Sequence, residues 1–407
     1  MRLIYNNHTR AAVAGILVVC CFAILISACD PGEERGGAKR DGDNPPETSS
    51  DSLIEPSLIS VNIYVENSGS MAGYCDVKDT SAIETLIQDY YDRLDGSDEI
   101  DTVGLNYINT LIIDPGLQIK DFTKSIKGRC TAPYTKLDDM LEMMMDGIKD
   151  NCVNILISDY VFTSNDGNLV TAASGITKQF SRQLREKDLA VAIFKYMVDF
   201  KGKYYPGGIA CNKPLPLYVW VFGNKEDVRT ISQLPFTTKN CGTYFMQKSY
   251  DADYKLDADS ERTIKGNKMH VSKWRKDRRG GFYEFTFTTK LNKVLLSKDS
   301  IVDASNYKIE TTTATEYEIH DIEDLGEDTY KFTVRTVNSK PAPGQLTISY
   351  PIITPEWVAA SNYESDGVPA DSTTYGVSYL INGVSKAFAD TSKNNNNYFT
   401  ITINLVK

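Results

Sequence analysis

Glu66, Ser68 and Ser70 stand at alternate positions just past a strand-like, mostly β-branched run, Ile59 to Val65. In an extended chain residues i, i+2 and i+4 point the same way, so one carboxylate and two hydroxyls converge beyond the strand's carboxyl end. Gly69 lets the backbone turn between the two serines. Oxygen donors of this kind suit a hard cation. Mg²⁺ demands near-octahedral oxygen geometry, and Ca²⁺ accepts a more irregular set. A parallel sheet places its ligand sites beyond the carboxyl ends of its strands, where this loop lies. Read for structure alone, Asn67-Ser68-Gly69-Ser70 is an ordinary polar turn.

Two further stretches lie downstream in order. Thr135-Lys136-Leu137-Asp138-Asp139-Met140-Leu141 places a Thr at the start of a helical pattern. Val153-Asn154-Ile155-Leu156-Ile157-Ser158-Asp159-Tyr160 ends a buried strand in an Asp. Together the three stretches resemble the metal-ion-dependent adhesion site of von Willebrand factor A (vWA) domains. That site combines Asp-x-Ser-x-Ser after strand one, a Thr opening a helix as Thr-x-Leu-x-x-Ala-Leu, and an Asp closing a strand as Thr-Asp-Gly. Glu66 stands where the family has Asp, Met140 replaces the family's Ala, and Ser158 and Tyr160 flank Asp159. The resemblance covers residues 58–240. It implies a doubly wound, Rossmann-type α/β sheet carrying Mg²⁺, Ca²⁺ or Mn²⁺. Ser68, Ser70 and Thr135 would be direct ligands, with Glu66 and Asp159 direct or acting through water. It also implies a protein partner whose acidic residue completes the coordination. Glu is one methylene longer than Asp, which distorts a Mg²⁺ site more than a Ca²⁺ site.

Two other functions compete with metal-dependent binding. A vWA-like scaffold could bind without metal, through its loops or its C-terminal half. A hydrolase could use Ser68 or Ser70 as nucleophile, but the chain lacks a Gly-x-Ser-x-Gly elbow. Its three histidines are His8, His270 and His320, a poor supply for imidazole acid–base chemistry. The expectation is a binding protein and not an enzyme.

The N-terminus reads as an export signal. Arg2 and Arg10 precede a mostly apolar stretch, Ala11 to Ile26, too short for a good membrane span. It closes on Ile26-Ser27-Ala28-Cys29, which resembles the bacterial lipobox. That resemblance implies acylation of Cys29 and an exported body lipid-anchored in the bacterial cell envelope, at the outer membrane. Residues 29–57 read as a tether rich in Gly, Pro, Asp, Glu and Ser, with too little apolar surface to order itself. A flexible stretch of that length reaches on the order of 30 Å. The chain is acidic, at formal charge −10, and loses two further positive charges with the signal. This argues against a nucleic-acid partner.

Residues 58–250 alternate apolar runs and amphipathic helices, as α/β domains do. Met140, Met143, Met144 and Met145 read as gap-filling core. Residues 251–281 form a basic linker running from Lys265 to Arg279. Residues 282–407 carry Thr-, Val- and Tyr-rich strands, a mainly-β, sandwich-like half. One helical pattern there, Val377 to Phe388, is expected to lie across the sheet. Beyond the signal, Cys75, Cys130, Cys152, Cys211 and Cys241 remain. In an oxidising compartment the candidate disulfides are Cys75 with Cys130 and Cys211 with Cys241, leaving Cys152 free.

If Cys29 carries the anchor, Cys29→Ser moves the protein from the membrane fraction to the soluble envelope fraction. Sedimentation of the mutant with membranes at the wild-type level would locate the anchor elsewhere.

Overall fold

The apolar run before Glu66 forms β1 (Ile59–Glu66), an inner strand of a seven-stranded sheet. The computed structural model describes residues 58–407 apart from 76–80, 133–135, 165–166, 258–263, 266–267, 272–281, 338–339, 366 and 394–395. The expected signal, Cys29, the tether and Thr135 lie outside the described residues.

After β1 come the short α1 (Ala72–Cys75) and α2 (Ala82–Asp95), whose N-cap Ser81 accepts a hydrogen bond from the Glu84 amide. β2 (Ile100–Ile108), β3 (Ile112–Ile113), α3 (Ile119–Arg129), α4 (Leu137–Asp146), β4 (Cys152–Ser158) and α5 (Leu169–Glu186) follow. A long hairpin of β5 (Leu189–Tyr204) and β6 (Ile209–Asn224) leads to α6 (Lys225–Ser232) and β7 (Gly242–Gln247). The strand order is β3-β2-β1-β4-β6-β5-β7. β1 pairs in parallel with both β2 and β4, and every other pairing in this sheet is antiparallel. The expected doubly wound sheet is therefore mixed. β5 turns straight back into β6, and a tight hairpin can pair only antiparallel.

Strand alternation divides the core between the two faces. Val61, Ile63 and Val65 of β1 join Ile155 and Ile157 of β4 under α2, α3 and α6. Tyr64, Leu156 and Trp220 face the other way, with α4 and α5. Met140, Met144 and Met145 are fully buried there, as gap-fillers would be. The sequence reading contains neither α3 nor β7. In α3 the buried apolar residues are only Phe122 and Ile126, set among lysines and a threonine, so no strong stripe marks it.

The remaining strands are β8 (Tyr250–Asp251), β9 (Tyr254–Leu256), β10 (Ile264–Lys265), β11 (Lys268–His270), β12 (Glu284–Lys290), β13 (Lys308–Thr311), β14 (Tyr317–Gly326), β15 (Thr329–Thr336), β16 (Gly344–Pro351), β17 (Asn362–Tyr363), β18 (Thr374–Tyr375) and β19 (Asn397–Val406), with helices α7 (Lys298–Val302), α8 (Glu356–Ala360) and α9 (Val377–Thr391) among them. They build a six-stranded sheet around β19 and β16 and a four-stranded sheet, β14-β15-β12-β9. Tyr307 stands between these sheets, edge-on to Phe332 of one and Phe399 of the other. The segment read as a linker is woven into both: β8 and β11 pair with β19, and β9 pairs with β12. Residues 273–279, which hold most of the expected basic cluster, lie outside the described residues.

The described residues belong to one compact unit, Pro56–Lys407, and one apolar cluster runs through both halves. One link is α9, which packs on α5 and also meets β7. The helices approach closely at Gly383, whose added Cβ would sit 2.9 Å from the Ala173 carbonyl oxygen. Thr177 Oγ1 donates to the Gly383 carbonyl at 2.9 Å beside it. Gly383→Val must push backbone apart, and overpacking of this kind costs about 1–3 kcal/mol. Urea unfolding should show that loss in one transition, with fluorescence and circular dichroism midpoints coincident. Two separate transitions, or an unchanged midpoint, would contradict a shared core.

Candidate metal-binding site

β1 leaves the sheet at Glu66, and each following residue is held from a different side. The Asn67 amide continues the ladder to the Ile108 carbonyl of β2 at 3.1 Å. Its side-chain oxygen accepts from Asn109 Nδ2 at 2.6 Å. Ser68 forms an isolated parallel bridge with Ala132, in which the Gly69 amide donates to the Ala132 carbonyl (2.9 Å) and the Ala132 amide to the Asn67 carbonyl (3.2 Å). The chain then makes a 3₁₀ turn, Gly69–Met71, and enters α1. The hairpin arm braces that turn. Gly73 and Gly202 meet backbone to backbone, and an added Cβ on Gly73 would lie 2.3 Å from the Phe200 ring. Tyr74 packs edge-on against Phe200 and donates its hydroxyl to the Pro216 carbonyl at 2.6 Å.

The oxygen groups meet in two linked pairs. Ser68 Oγ and Ser70 Oγ are 2.9 Å apart. The Asp159 carboxylate accepts from the Val161 amide at 3.1 Å, and the nearby Ser70 side chain favours its ionised form. On β4, Ser158 Oγ donates to Glu66 Oε2 at 2.5 Å and accepts from the Tyr160 amide at 2.9 Å. Glu66, Ser68, Ser158 and Asp159 are all buried, and Ser70 is half-buried. Four of the five residues proposed from the sequence, Glu66, Ser68, Ser70 and Asp159, thus lie at the carboxyl ends of neighbouring parallel strands. The fifth, Thr135, lies outside the described residues. Its neighbour Lys136 is the N-cap of α4, so the expected helix does open at that point.

Sequence reasoning missed Ser158, Asn67 and Asn109. The signal for Ser158 was present, because it directly precedes Asp159 at the end of the same buried run. Tyr160, the next residue, takes a left-handed backbone (φ 51°) and stacks on Trp220 with ring centroids 4.6 Å apart. Burial, with the Glu66 carboxylate adding to it, pushes the Tyr160 phenol well above its usual range.

The donors present fit a hard cation. Among the described residues no ion pair involves Asp159. Burial raises the Asp159 pKa despite the opposing effect of the Ser70 side chain and the Val161 amide. Among the described residues no three or more His, Cys, Asp or Glu are grouped to hold a metal, so the serine hydroxyls would have to ligate. A groove of about 820 Å³ opens alongside, between α4 and α5, with Val161 and Lys136 in its wall. Two polar atoms of that wall, Ser164 Oγ and Gln179 Oε1, are buried without a hydrogen-bond partner.

The cysteines divide. Cys75 and Cys130 are buried thiols with sulfurs 3.9 Å apart. Cys211 lies opposite Gly202 on β5, whereas Gly242, next to Cys241, lies opposite Lys195. Seven residues along a strand are about 23 Å, so the expected Cys211–Cys241 bond is out of reach. The Cys241 thiol bonds the Lys195 carbonyl instead.

The raised Asp159 pKa has a consequence for pH. The folded chain holds that proton more tightly than the unfolded one, so cation-free stability falls as pH rises from about 4 through the folded pKa. Asp159→Asn removes the ionising group and should flatten this fall. In chelator it should match or exceed wild-type stability at pH 7. Identical thermal unfolding profiles for the two proteins between pH 4 and 8 would mean that burial does not disfavour the charge. The chain matches no protein-family model, no curated protein and no solved structure, so the site is read from its own geometry.

Proposed function

We propose that the α/β half is a vWA-like module that binds a protein partner through a divalent cation held by Ser68, Ser70 and Asp159, with Thr135 and Glu66. The cation, Mg²⁺ or one of its substitutes Ca²⁺ and Mn²⁺, would supply an open coordination position for a partner's carboxylate. The observation that carries this reading is the Ser68–Ser70 hydroxyl pair beside the buried Asp159 carboxylate, beyond adjacent parallel strands. A buried carboxylate without a protein cation is costly, and a bound divalent ion offsets that cost. The groove between α4 and α5 offers the flanking part of the partner a polar seat. Acylation of Cys29 would anchor the module to the envelope membrane. Among the described residues no helix is long and apolar enough to cross a membrane.

One contact favours a second reading, a scaffold that binds without metal. Ser158 already donates to Glu66, so one oxygen of this acid is engaged on β4. Glu66→Asp shortens the acid by one methylene and restores the family's residue.

Divalent ions should raise thermal stability, by about 2.7 kcal/mol when free metal is about 100 times its dissociation constant. Asp159→Ala should abolish the gain, and Glu66→Asp should enlarge it. If neither wild type nor Glu66→Asp responds to Mg²⁺, Mn²⁺ or Ca²⁺, the metal reading fails and the scaffold reading stands.

A further inference from the structure

The segment that carries the Ser68–Ser70 turn and the segment that pairs with it each hold a buried thiol. The Ser68–Ser70 turn runs through Met71 into α1, which closes on Cys75. α3 closes on Cys130, two residues before Ala132, the partner of Ser68 and Gly69. The thiols are 55 positions apart in sequence, yet their sulfurs lie 3.9 Å from each other. Cys75 and Cys130 are 3% and 4% exposed, and α1 is pinned from behind by Phe200 and Gly202. A covalent S–S bond needs the sulfurs to close by roughly 2 Å.

We propose that Cys75 and Cys130 are a redox pair whose oxidation fastens the Ser68–Ser70 turn to the Ala132 segment and braces the site from below. The oxidant is a disulfide, RS–SR. One protein thiolate attacks it, forming a mixed disulfide and releasing RSH. The second cysteine then attacks the protein sulfur of that mixed disulfide, forming the Cys75–Cys130 bond and releasing a second RSH. The two protein thiols lose two electrons and two protons, and both leave on the RSH products. Reduction reverses each exchange and frees the turn. The effect on metal affinity rests on the metal-site reading, whereas the bond and the bracing do not.

The test uses the whole chain, equilibrated with oxidised or with reduced glutathione. After oxidation, among the five cysteines beyond the signal, alkylation under denaturing conditions should label Cys152, Cys211 and Cys241 and leave Cys75 and Cys130 in one linked peptide pair. Hydrogen exchange at the Gly69, Met71 and Ala132 amides should slow by about tenfold in the oxidised form. Alkylated Cys75 or Cys130 after oxidation, linkage of either to another cysteine, or unchanged exchange overturns the inference. A chain that forms the bond and gains the protection but ignores every divalent ion supports this inference and sinks the metal reading alone.

Discussion

The parallel pairing of β1 with β4 decides where every group of the polar cluster lies. Val65 stands opposite Ile157, so both strands end at the same level. Glu66 then faces Ser158, and Asp159 comes within reach of the Ser70 turn. A slip of one residue would turn Val61, Ile63 and Val65 out of their apolar face, so the same burial that stabilises the sheet fixes the site's register. The cluster needs no strand of its own, because two buried strands that are apolar for folding reasons deliver it at their ends.

The rest of the molecule holds that end of the sheet in place. The β5–β6 arm carries Phe200, Gly202 and Pro216 against α1, so the turn cannot move without the arm. From the other half, Ser361, Ser372 and Tyr375 bind the same region. The Phe162 amide donates to the Tyr375 carbonyl at 2.9 Å, and the Tyr375 amide to Tyr204 Oη at 2.8 Å. Lys195 is buried under this segment and donates to Ser361 Oγ (2.6 Å) and the Ser372 carbonyl (2.9 Å). Burial lowers the Lys195 pKa, and those two acceptors offset part of the cost of keeping its charge. The C-terminal half therefore supports the site as well as extending the chain.

Most of the site could be read from residue types and spacing, because alternation in β1 and the acid closing β4 are local signals. The strands of the C-terminal half and the helix at Val377 were legible for the same reason. Other features were not, because tertiary context decides them. The mixed direction of the sheet follows from β5 folding back as a hairpin, and nothing in its apolar residues states which neighbour it chooses. The seat of α9 on α5 depends on Gly383 meeting Ala173, two positions far apart in sequence. The Glu66–Ser158 bond depends on strand register, which sets the end of β1 against the end of β4.

The proposed cation would be shared by Ser68, Ser70 and Asp159. Anomalous scattering from a crystal of the exported body soaked in Mn²⁺ tests it most directly. The expected result is an anomalous peak bonded to both serine hydroxyls, beside the Asp159 carboxylate, with the direct Ser68–Ser70 hydrogen bond replaced. No peak at that position, with the two hydroxyls still bonded to each other, would contradict it.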